Sequence, residues 1–191
     1  MYPRGIPTRY KGRQYRSRLE ARWACFFDLL GWHHEYEPCD FEGWIPDFVL
    51  CEAEPVFVEV KPVSTFPEDV AAQIDATSCM QEVLIVGMHL LREKSSYLCV
   101  NGIALGWLRE VALPSIECEG WKAWDVAALG VWTPTPHARP RVGFCHVIHS
   151  FHDRITGQYD GGSHGRLPLD TTNLFRIWAE AGNVTQWKKR H

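Results

Sequence analysis

Long apolar runs are missing from this 191-residue chain. No stretch approaches the roughly 20 apolar residues that a membrane-spanning helix requires. The N-terminus is basic but no apolar run follows it, so no secretory signal is expected. Closely spaced cysteines are missing as well. The seven lie at positions 25, 39, 51, 79, 99, 118 and 145, with no Cys-x-x-Cys pair, which argues against a zinc knuckle and for reduced thiols in a cytoplasm. Internal repeats and low-complexity runs are also absent. What remains is a chain with 46% hydrophobic residues, enough for one globular core or a core with a smaller extension.

The net charge of −3 hides an uneven distribution. Residues 1–22 carry seven Lys and Arg, Arg16, Arg18 and Arg22 among them, against the single acid Glu20. The last sixteen residues carry Arg176, Lys188, Lys189 and Arg190 against Glu180. Most of the acids therefore lie between two basic ends. Such ends suit a polyanion, because each phosphate neutralised releases counterions. They also suit two solvated tails, and charge alone does not separate the two.

The apolar pattern predicts an α/β layout. The first dozen residues read as an arm rich in Pro, Gly and Arg. Leu19, Trp23, Phe26, Phe27 and Leu30 form one stripe at helical spacing, predicting a helix over 14–30 that stops at Gly31. Residues 33–41 read as a weak strand. Residues 45–50 and 56–60 are short, apolar and rich in β-branched side chains, and read as two strands joined by a tight connection. A helix over 67–79 follows, then a strand over 83–86 ended by Gly87, then a hairpin over 97–108 turning at Asn101-Gly102. Beyond residue 110 the elements are short and the signal is weak, until a helix from Thr171 or Thr172 to Ala181. The order predicts a mixed central sheet flanked by helices.

The chemistry concentrates in Pro46-Asp47 and Glu59-Val60-Lys61. A hairpin centred on Ala53 sets Asp47 opposite Glu59, Phe48 opposite Val58 and Leu50 opposite Val56. Alternation then puts Lys61 on the face of Glu59. Two carboxylates in an apolar sheet repel each other and need partners or a metal. A hard divalent cation with oxygen ligands relieves that repulsion and brings water with it. A lone Glu-x-Lys is a common surface ion pair; the full pattern with its apolar flanks is far more specific. Glu20 adds a third carboxylate at the edge of the first helix's inward face. It also completes a capping box with Ser17 and stands four residues from Arg16, so a structural role competes with a catalytic one.

These residues resemble the PD-(D/E)XK nuclease superfamily. The matching text is Tyr15-Arg-Ser-Arg-Leu-Glu20-Ala-Arg-Trp23, then Gly43-Trp-Ile-Pro-Asp47-Phe-Val, then Phe57-Val-Glu59-Val-Lys61-Pro62. The branch it is most similar to holds the end-cleaving endonuclease subunits of transposons and small phage nucleases. The match covers roughly residues 10–90. The resemblance implies a restriction-endonuclease-like core over residues 1–110 with its basic arm, and a C-terminal extension over 111–191 that packs on the core and shapes substrate choice. It implies Mg²⁺, with Mn²⁺ able to substitute, held by Asp47, Glu59 and the backbone of Val60. Lys61 would position the attacking water. Glu20 would bind a second metal or the water network. Gln73 corresponds to a position where some relatives carry a polar active-site residue, although a surface glutamine is the plainer reading. The implied product is a 5′-phosphate and a 3′-hydroxyl, by endonucleolytic hydrolysis of DNA in a phage or mobile element. Cutting both strands with one site per chain requires a homodimer, a protein partner or two encounters. The competing function is a subunit of the same fold that binds DNA or a protein without cleaving.

Arg16, Arg18 and Arg22 are candidates for phosphate contacts, as are Lys188, Lys189 and Arg190, or they form solvated faces. His146, His149 and His152 would lie on one side of a helix and suit Zn²⁺, yet their flanks read as strand and loop, where His149 faces away. Trp178 and Trp187 either stack on bases or anchor the tail to the core.

Overall fold

The structure, a computed structural model, describes residues 5–92, 102–112, 120–133, 138–146, 152–158 and 169–186. It begins with a small hairpin, β1 (Thr8–Tyr10) and β2 (Arg13–Tyr15), where an unstructured arm was expected. The turn between them places Lys11 and Gly12 at φ of 43° and 84°. Two successive left-handed residues match the right-handed twist of the flanking strands. Because β2 takes up Gln14 and Tyr15, helix α1 (Arg18–Leu30) starts four residues later than its stripe suggests. Ser17 is its N-cap, with the hydroxyl accepting the Glu20 N–H at 3.1 Å, and Gly31 closes it at φ 71°.

The remaining strands form one sheet of seven, in chain order: β3 (His34–Tyr36), β4 (Phe48–Cys51), β5 (Pro55–Val60), β6 (Val83–Arg92), β7 (Ile103–Ala112), β8 (Trp121–Trp132) and β9 (Arg141–His146). Neighbours are antiparallel except β5 and β6, which run parallel and are joined across helix α2 (Glu68–Asp75). The architecture is therefore mixed α/β, as the pattern predicts. Several boundaries differ. The strand expected over 33–41 keeps only three residues, and the 67–79 helix only eight. Gly87 does not end β6. It lets the chain after β5 cross close by: a Cβ there would lie 2.4 Å from the Val63 carbonyl oxygen, which accepts the Met88 N–H at 2.9 Å. The Asn101 end of the expected hairpin turn lies outside the described residues. Residue 110 falls inside β7, and β8 and β9 continue the same sheet.

The sheet curls until its ends meet. The Trp32 indole, just before β3, donates to the Val142 carbonyl of β9 at 3.0 Å, and Arg141 pairs with Glu52 at 3.1 Å. The main core fills this curl. Helix α1 contributes Ala21, Trp23, Ala24, Phe26 and Phe27, all without solvent exposure. Helix α3 (Thr171–Val184), capped by Asp170, lies across α1. Trp178 packs against Trp23 with ring centroids 4.5 Å apart and planes tilted by 48°, and meets Phe26 edge-on at 5.3 Å. It is a core anchor and is not available to a base. Arg22 is drawn into the same contact: its guanidinium lies 3.8 Å over the Trp178 ring and donates twice to the Trp178 carbonyl. Arg22, expected either to contact phosphate or to lie on a solvated face, is here engaged with Trp178. Helix α2 covers the other face of the sheet with Val70, Ala71 and Ile74. Among the described residues no helix is long and apolar enough to cross a membrane.

Trp178→Ala is expected to lower the unfolding free energy by about 3–5 kcal/mol in urea titration, and Trp178→Phe by clearly less, since it keeps a ring in the gap. A cost near zero for the alanine variant would mean that α3 does not clasp α1 in solution.

Candidate active site

The site is built where β5 ends. The β4–β5 register pairs Phe48 with Val58 and Leu50 with Val56, as the hairpin centred on Ala53 predicts. One step beyond Phe48, the same register faces Asp47 with Glu59. The Asp47 Oδ2 accepts the backbone N–H of Val60 at 2.7 Å, so the acid is clamped onto the neighbouring strand. Glu59 points to the α2 side, where its Oε2 accepts the Trp44 indole N–H at 2.8 Å and its Oε1 contacts the Lys61 ammonium. Asp47 and Glu59 are 3% and 4% exposed. Both line a cavity of about 540 Å³ together with Glu20, Val60, Lys61 and Gln73.

Glu20 reaches this cavity from the first turn of α1. Its Oε2 accepts the Tyr36 hydroxyl at 2.6 Å and the backbone N–H of Arg16 at 3.1 Å. The expected capping box is therefore modified: Ser17 caps, but the glutamate reaches one residue further back. Arg16 sits across the cavity mouth, its Nη2 against Asp47 Oδ1 and its Nε 3.0 Å from Glu37 Oε1. Arg18 is exposed and lines an adjoining hollow of about 370 Å³ with Lys61 and Pro62. Gln73 is exposed, as a surface glutamine is expected to be, and its amide donates to the Gly43 carbonyl at 3.2 Å at the edge of the cavity.

Three participants were not singled out from the sequence. Trp44 lies within the Gly43-Trp-Ile-Pro-Asp47 text, and its position two residues before the proline was the available signal. Tyr36 and Glu37 come from the end of β3 and carried no motif. Elsewhere, His146 is fully buried at the end of β9, 3.5 Å from Glu110, whereas His152 pairs with Glu54 at 2.8 Å. His149, Lys188, Lys189, Arg190 and Trp187 lie outside the described residues.

The donor set suits a hard cation, because it offers carboxylate oxygens from Asp47, Glu59 and Glu20 on one cavity wall. It is not a ready-made cage. Among the described residues no group of three His, Cys, Asp or Glu side chains stands at metal-holding distances. All four oxygens of Asp47 and Glu59 have partners: Arg16, the Val60 N–H, Lys61 and Trp44.

Charge is strained accordingly. Burial, then Glu59 and Glu20, push Asp47 up to about 7, against the opposing pull of the Val60 N–H and Arg16. For Lys61, burial works against the charge, but Glu59 and then Asp47 outweigh it and hold the ammonium above its ordinary range. Burial and the bond to Glu20 raise Tyr36, which stays a protonated donor.

A carboxyl raised on folding makes the folded state bind more protons than the unfolded one. Its stabilising contribution is complete below the unfolded value of 3.8 and is lost as pH rises through about 7. In chelator, wild type is therefore expected to lose more unfolding free energy between about pH 5 and about pH 8 than Asp47→Asn does, measured by denaturant titration. Parallel pH profiles would mean that Asp47 ionises like a solvated carboxyl.

Comparison with family models, with curated protein sequences and with solved structures returns no match, so the resemblance described above rests on the quoted residues.

Proposed function

We propose that the chain is a Mg²⁺-dependent nuclease of the PD-(D/E)XK type that hydrolyses DNA phosphodiesters endonucleolytically from a restriction-endonuclease-like core. The observation that carries this reading is that buried Asp47, bonded to the Val60 N–H at the end of β5, lines one cavity with Glu59 and its partner Lys61. A surface ion pair would not require two acids that are nearly inaccessible to water.

Asp47 and Glu59 would hold Mg²⁺ or Mn²⁺ with the main chain of Val60, and Glu20 would serve a second ion or the water network. The metal supplies an activated water and stabilises charge on the phosphoryl oxygens. Lys61 keeps its proton under the field of Glu59 and Asp47, and it orients that water by hydrogen bonding. The water oxygen would bond to phosphorus as the bond to the 3′ oxygen breaks, the attacking water giving up one proton to solvent and the leaving 3′ oxygen taking one up, which leaves a 5′-phosphate and a 3′-hydroxyl. Arg16 and Arg18, both exposed beside the cavity, would contact the flanking phosphates. The free thiols of Cys25, Cys39, Cys51 and Cys79 agree with a cytoplasmic setting.

The test is a cleavage assay on supercoiled, linear and branched DNA with Mg²⁺, Mn²⁺ or EDTA. Wild type should cut only with metal, and Asp47→Ala and Lys61→Ala should each lower the rate by roughly 100-fold or more, the scale of losing one group that acts in the transition state. Cleavage that survives both substitutions would remove the proposed site. DNA or partner binding without cleavage under any metal would favour the non-cleaving subunit instead.

A further inference from the structure

Arg16 is held in two unequal ways. Its backbone is pinned, because the N–H donates to Glu20 Oε2 at 3.1 Å and lies 3.2 Å from the Tyr36 hydroxyl. Its side chain is 55% exposed, twice as open as Lys61 at 28%. The guanidinium therefore rests on the carboxylates from the solvent side, touching Asp47 and Glu37, with Glu20 3.9 Å away. When ionised, Glu20, Glu37, Asp47 and Glu59 carry four negative charges against the two positive charges of Arg16 and Lys61. The group keeps an excess of two negative charges, which one divalent cation cancels.

The two oxygens of Asp47 are not equivalent. Oδ2 is bonded to a backbone N–H inside the sheet and stays where the strands put it. Oδ1 is held by Arg16 alone among the contacts described above. A divalent cation entering between Asp47 and Glu59 needs Oδ1, so it must compete with the guanidinium. An arginine released from a carboxylate finds an equivalent planar acceptor in a phosphate.

We infer that Arg16 is an exchangeable counter-cation. It occupies Asp47 in the metal-free protein, yields Oδ1 to a divalent cation, and turns its guanidinium to a substrate phosphate, so that metal and DNA each strengthen the binding of the other. The metal arm of this inference needs only the carboxylate cavity; the DNA arm rests on the nuclease reading. By linkage the strengthening is equal in both directions, and couplings between sites commonly span about 5–150-fold.

The experiment is Mn²⁺ titration of the full chain, followed by electron paramagnetic resonance, with and without a cleavage-resistant phosphorothioate duplex. Arg16→Gln is compared with wild type and with Arg18→Gln, which removes the same charge from the adjoining hollow. Without DNA, Arg16→Gln is expected to bind Mn²⁺ at least 5-fold more tightly than either. Adding the duplex should tighten Mn²⁺ binding by a similar factor in wild type and leave Arg16→Gln nearly unchanged. Arg16→Lys, which keeps the charge on a different head group, should fall between the two and carries the comparison if the glutamine variant does not fold. Equal gains in Arg16→Gln and Arg18→Gln, or no gain in either, would overturn the role of Arg16 while leaving the metal site standing. Absence of Mn²⁺ binding in every protein would overturn the metal site and this inference together. Tighter metal binding in Arg16→Gln, with the duplex leaving wild type unchanged or tightening both proteins equally, would overturn the coupling.

Discussion

Asp47 and Glu59 stand side by side with almost no water to separate their charges, and the surroundings are organised against that repulsion. The Val60 N–H, the Trp44 indole, the Lys61 ammonium and the Arg16 guanidinium each take one oxygen. These four partners come from β5, from the turn before Asp47 and from the segment leading into α1. Neutralising the pair therefore ties the ends of several elements together. Removing one partner leaves a buried charge unpaired, which costs far more than the pair itself contributes.

The curl of the sheet follows from what it must enclose. Helix α1 has lost nearly all contact with water along its Trp23, Ala24, Phe26 and Phe27 side, more than a flat sheet covers from one face. Bending β3 and β9 toward each other wraps that helix, and α3 closes the open side through Trp178 and Arg22. The first turn of α1 then projects from the end of the core beside the end of β5, which is where Glu20 and Arg16 are needed.

What the sequence made legible was local. The β4–β5 hairpin has a short connection between two apolar strands rich in valine, so its register followed from position alone. The stripe of α1 was clear for the same reason. The β1–β2 hairpin was hidden because Arg9, Lys11 and Arg13 made it look like a solvated arm. Strand β8 was hidden because Ala123, Asp125, Ala127, Ala128 and Gly130 are poor strand formers. They fit because neighbouring strands pack tightly: Ala128 pairs with both Ala104 and Cys145. Arg22 and Arg16 looked alike in a list of basic residues. Only the placement of α3 on one and of β3 on the other gave them opposite uses.

The chain order of the pieces also sets an order of assembly. The acidic pair belongs to a hairpin whose strands are neighbours in sequence, so it forms from about a dozen consecutive residues. Helix α1 lies upstream of that hairpin, yet the groups that enclose it arrive as late as β9 and α3. Glu20 and Arg16 themselves are fixed by partners no further along the chain than Tyr36, Glu37 and Asp47. The carboxylates of the cavity and their partners thus belong to one stretch of chain, while the core behind them is closed by Trp178, far along it.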